Sequence, residues 1–123
     1  MRHDQDTLEA IQALAGIEGK YSEQAYNFVL SSVEATLSMT GEVRHVSAEE
    51  LLEGMRVSAV RQFGPMSKEV LNHWGIYTTR DIGNIVFELI GAGLLVKGEG
   101  DSIEEFDSVY DFRKVFEEEY YEN

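Results

Sequence analysis

The chain has 123 residues, 43% of them hydrophobic, which suits one globular domain able to bury roughly two-thirds of its unfolded surface. Its 23 acids against 10 Lys and Arg leave a formal charge of -13, a field that repels phosphate backbones and anionic membranes and favours cationic partners. With no cysteine there are no disulfides and no thiolate zinc site, and with neither an apolar leader in MRHDQDTLEA nor an apolar run of membrane-spanning length the expected location is cytoplasmic.

The first predicted helix covers residues 4–15, with Leu8, Ile11 and Leu14 on one face. Gly16 and Gly19 weaken any continuation, so 16–20 reads as a connection. Ser22 is placed to cap a second helix over 22–38, whose Tyr26, Val29, Leu30, Val33 and Leu37 form one stripe. Ala25, Phe28 and Ala35 add a second apolar face, the pattern of a helix sandwiched between neighbours or shared in a homodimer. After the break at Gly41, Glu42–Val46 reads as a short extended piece. Ser47-Ala48-Glu49-Glu50 is a capping box that starts a third helix, with Leu52, Met55, Ala59, Val60 and Phe63 inward. Gly54 sits in the middle of that helix at a cost of about 1 kcal/mol relative to Ala, which a close helix crossing would explain.

Gly64-Pro65 ends the third helix and opens a fourth, in which Met66, Val70, Leu71 and Trp74 recur at helical spacing. Gly75 supplies a left-handed stop. Thr78 with Asp81 is a weak capping box for a fifth helix, with Tyr77 and Ile82 in the positions of a hydrophobic staple. Ile82, Ile85, Val86, Leu89 and Ile90 make its inner stripe, and Gly93 closes it. Phe63, Leu71, Trp74, Ile85 and Leu89 are expected in one core.

Beyond Gly93, Leu94-Leu95-Val96 reads as a strand, 97–101 as a turn, and Phe106–Phe112 as a returning strand with imperfect alternation. Asp111 is placed to cap a last short helix containing Val115 and Phe116. The expected architecture is mostly α (α+β). A helix-turn-helix, winged-helix-like core with a short β-hairpin spans 41–112, preceded by a helical extension over 1–40 and followed by an acidic tail over 113–123. The competing arrangement is an unclassified helical bundle with an appended hairpin.

Five phrases stand in this order along the chain: Arg44-His45-Val46-Ser47, Glu50-Leu51-Leu52-Glu53-Gly54, Gln62-Phe63-Gly64-Pro65-Met66, Trp74-Gly75-Ile76 and Tyr110-Asp111-Phe112. Through them the chain resembles a family of short, uncharacterised bacterial proteins, over most of residues 21–112. The resemblance implies a bacterial, cytoplasmic setting and brings no activity and no catalytic residue.

Candidate chemistry is sparse. His45, Glu49 and Glu53 have helical spacing, but a metal site needs three or four convergent ligands, and these acids equally form a solvated face at a helix start. His73 stands near a helix C-terminus, where an imidazolium complements the dipole. Gly91-Ala92-Gly93 closes a helix instead of opening one, so it is no dinucleotide fingerprint. The acids of 99–107 lack EF-hand spacing. No cofactor is expected.

Two functional classes remain, with a small enzyme or metal-binding protein behind them. One is a winged-helix DNA-binding regulator, reading through outward residues of the fifth helix: Thr79, Arg80, Asn84 and Glu88. Arg80 and Lys97 stand almost alone there among acids. The favoured class is a non-catalytic acidic protein-protein interaction module, its partner a protein with a basic surface and its candidate contacts Arg44, His45, Arg80, Asn84 and Glu88.

Overall fold

The computed structural model describes residues 5–40, 47–96 and 102–118. Periodicity and caps translate directly into helices: α1 (Gln5–Glu18), α2 (Glu23–Thr40), α3 (Ala48–Phe63), α4 (Ser67–His73) and α5 (Thr79–Gly91). A 3-10 turn, Gly64–Met66, joins α3 to α4, and the C-terminal segment holds a 3-10 turn at Ile103–Phe106 and a wide π-type turn at Lys114–Glu118.

α2 is the centre of the bundle. Its Ala25, Tyr26, Val29, Leu30 and Val33 are buried because α1, α3 and α5 pack around it, which accounts for its two apolar faces. Gly54 of α3 meets α2 at Thr36, where a Cβ would overlap the Thr36 hydroxyl. The helix-weakening glycine is thus a close crossing, as its position suggested.

Both capping boxes form. Ser47 Oγ accepts from the Glu50 N–H at 3.1 Å while Glu50 accepts from the Ser47 N–H at 3.1 Å, and Thr78 and Asp81 reciprocate in the same way. At the break between α3 and α4 the buried Ser67 hydroxyl donates to the Gly64 carbonyl at 2.7 Å and lies 3.1 Å from that of Ala59. It thereby ties the start of α4 to the last turn of α3, adding a second bond at the Gly64 carbonyl, which also accepts from the Ser67 N–H. Leu71, Ile85 and Leu89 are fully buried, whereas Phe63 and Trp74 are half-buried at the core's edge. Those two rings meet edge to face at 5.5 Å, each also touching Phe28.

The β-hairpin is contradicted, and the winged-helix reading falls with it: the described residues contain helices and turns and no strand. At the first expected strand, the Leu94 N–H donates back to the Leu89 carbonyl at 2.9 Å and the Gly93 N–H to Ile90 at 3.0 Å. Those bonds fold the chain over the end of α5, leave Leu94 and Leu95 half-buried, and expose Val96 at 95%. The expected returning strand, Phe106–Phe112, is a 3-10 turn, a reverse turn and the approach to a helical turn. Its apolar residues obey helical spacing once Phe112, Val115 and Phe116 are read together, and all three are buried. Asp111 caps that turn by accepting from the Lys114 N–H at 3.1 Å. The predicted turn at 97–101 and the extended piece at 42–46 lie outside the described residues.

Candidate functional site

Two glycine-ended helices meet at one corner of the bundle. α1 closes at Gly19 and α4 at Gly75, and both glycines have positive φ, 67° and 96°. A side chain at residue 75 would overlap the Lys20 carbonyl oxygen, so only glycine lets the two turns touch. The Ser22 N–H donates to the Trp74 carbonyl at 3.1 Å and fixes the contact.

Beneath it lies Asp81, almost fully buried. Its Oδ1 accepts from the Tyr21 hydroxyl at 2.6 Å and pairs with Lys20 Nζ at 3.3 Å. Its Oδ2 accepts from the N–H groups of Tyr77 and Thr78 at 2.9 and 3.1 Å. Burial alone would raise the Asp81 carboxyl, but the bonds from Tyr21, Tyr77 and Lys20 outweigh it and hold the group below the usual carboxylate range. Burial, and then the bond to Asp81, push the Tyr21 phenol up. The phenol also accepts from Asn84 Nδ2 at 2.9 Å. A phenol held protonated against a carboxylate is a poor base and a poor nucleophile; this cluster joins the α1–α2 connection to the start of α5.

Above the knot opens a cleft of about 400 Å³, walled by Lys20, Tyr21, Ser22, Asn72, Trp74 and Tyr77 among others. The Lys20 ammonium sits 5.3 Å from the centre of the Tyr21 ring, a cation–π contact, and remains largely exposed. Tyr77 is 60% exposed, so the expected staple with Ile82 does not close; Ile82 is buried without it.

The contacts expected on α5 are drawn into the molecule. Arg80 pairs with Asp107 of the C-terminal segment at 2.8 Å, Asn84 serves Tyr21, and Glu88 accepts from the buried Tyr26 hydroxyl at 2.8 Å. Thr79, expected outward, is 1% exposed: its hydroxyl donates to the Phe106 carbonyl at 2.6 Å and accepts from the Val109 N–H at 3.2 Å. Of the four residues expected to read a major groove, Thr79 and Arg80 are bonded to residues 106–109, with Arg80 still exposed, while Asn84 and Glu88 are bonded to tyrosines of the α1–α2 region. Arg44 and His45 lie outside the described residues, which leaves the His45, Glu49 and Glu53 grouping without a described geometry; Glu53 itself binds Arg56, which lowers its carboxyl. Among the described residues no three His, Asp or Glu side chains converge as metal ligands, and no helix is long and apolar enough to cross a membrane.

Sequence reading placed Lys20 in a connection over 16–20, gave Tyr21 no role, and saw Asp81 as a capping residue at the start of the fifth helix. The missed signal was local: a Lys-Tyr-Ser run directly after Gly19, where a helix must end and its side chains face a neighbouring turn. No family model, curated protein or solved structure matches the chain.

Proposed function

We propose that the chain is a non-catalytic, cytoplasmic protein-interaction module whose partner presents a basic surface. What supports this most is the disposition of charge. Of the seven described Lys and Arg side chains, Lys20, Arg56, Arg80 and Arg113 are each within 4 Å of a carboxylate. The acid excess of the sequence therefore faces solvent with few cations left to oppose it: Glu49, Glu69, Glu104, Glu105 and Asp111 are all exposed. A nucleic-acid reader needs basic side chains for phosphates, each contact releasing a counterion, and here the cation of α5 is already bound to Asp107. The same field steers a basic protein surface inward and raises its association rate at low salt.

The test compares two ligands by fluorescence anisotropy at low and at physiological salt: labelled mixed genomic DNA, and a labelled cationic peptide, tetra-arginine amide. Peptide binding that weakens as salt rises, with no saturable DNA binding, is the expected result. Submicromolar DNA binding that is lost on Arg80→Ala would reverse the reading.

A further inference from the structure

We infer that the cleft between the α1–α2 connection and the α4–α5 turn is a receptor for a guanidinium or ammonium side chain of the partner, a site that Lys20 occupies in its absence. The inference rests on the acidic-module reading and adds to it the place and chemistry of contact.

The cleft already holds a cation. Lys20 Nζ stands over the Tyr21 ring at 5.3 Å and 3.3 Å from Asp81 Oδ1, which are the two contacts an incoming ammonium or guanidinium would seek. Two more rings border the same space, the half-buried Trp74 and the exposed Tyr77, with His73 beside them; Asp81 does not line the cleft but lies beneath it, where Lys20 Nζ reaches its Oδ1. Two helix C-termini, those of α1 and α4, end at its walls, and each contributes partial negative charge. Its volume of about 400 Å³ lies within the range of small-ligand sites, roughly 300–1,000 Å³. Lys20 enters from solvent on a flexible stem with its side chain 61% exposed, so it can swing outward without disturbing packing. An arginine is the better occupant, since its flat, weakly hydrated guanidinium stacks on aromatic faces where an ammonium cannot.

This arrangement makes an unusual demand on mutation: removing a cation from the site should strengthen binding of a cation. Trp74 is the sole tryptophan and lines the cleft, so its fluorescence follows binding there, with the thermal melts separating any change at its contacts with Phe28 and Phe63. The chain is titrated with tetra-arginine amide, and with tetra-citrulline amide as the uncharged control. Three variants are compared with the parent: Lys20→Met, Tyr77→Ala, and Lys114→Met as a control with the same change in net charge. Thermal melts confirm that each is folded. The expected result is a saturable Trp74 response to arginine and none to citrulline. Affinity should tighten several-fold in Lys20→Met beyond any change in Lys114→Met, and weaken about threefold or more in Tyr77→Ala. Equal tightening in the two lysine variants, or no saturable Trp74 response, overturns the cleft as the site. Anisotropy distinguishes the two levels of failure. Peptide binding without a Trp74 response sinks the cleft and leaves the acidic module standing, whereas no peptide binding at all sinks both.

Discussion

Gly83→Ala sets two effects of known size against each other. Alanine in the middle of α5 gains about 1 kcal/mol of helix propensity over glycine. The new methyl, however, would stand 2.7 Å from both Cβ and Cγ of Phe106 and 3.0 Å from its Cδ2. The obstructing atoms are the root of the side chain and not its far end, so rotating the ring does not relieve them; the backbone at 106 must retreat. That backbone is held by the 2.6 Å bond from Thr79 and flanked by the Arg80–Asp107 pair, and Phe106 is itself buried against Phe87. Overpacking costs about 1–3 kcal/mol and loss of the Thr79 bond about 1 more, so the clash outweighs propensity and the net loss is about 1–3 kcal/mol. Urea denaturation followed by circular dichroism measures it as a lower midpoint at unchanged slope. The decisive comparison is a cycle with Phe106→Gly, which removes the obstructing Cβ together with the ring. Without that side chain, Gly83→Ala should become neutral or stabilising, and a coupling of about 1–3 kcal/mol should appear. If Gly83→Ala raises the midpoint in the parent chain, the 102–109 segment is not seated on α5 as described.

Leu89→Ala removes a fully buried side chain from the shared core and should cost about 2–5 kcal/mol in the same denaturation assay. Asp81→Asn should cost about 1–3 kcal/mol at neutral pH, because Asn cannot accept all the bonds the carboxylate takes. The Asp81 carboxyl is held below its ordinary 3.8, so its charge adds stability above that value and loses it as pH falls further; urea midpoints from pH 7 down to 2 should show parent and variant converging in acid. Ser108 is the one described non-glycine residue with positive φ, 51°, so Ser108→Gly relieves a strained backbone and should raise the thermal midpoint, by up to about 1 kcal/mol in stability.

What the sequence determined by itself is local. Caps, periodicity and left-handed glycines are interactions within a few residues, and they placed all five helices to within a few residues of their ends, with the break at Gly64-Pro65 and the crossing at Gly54. What tertiary structure decided is where the segment after Gly93 goes. Leu94-Leu95-Val96 and Phe106–Phe112 have strand-like composition, yet a lone two-stranded hairpin is marginal, and the same aromatics gain more by filling the groove of α5 and capping the core. That choice turned Thr79 from an exposed reader into a buried fastening and tied Arg80 to Asp107. The cleft was invisible for the same reason: Lys20 and Tyr21 are about sixty residues from Asp81, and only the meeting of two glycine turns brings an ammonium, a ring and a buried carboxylate together.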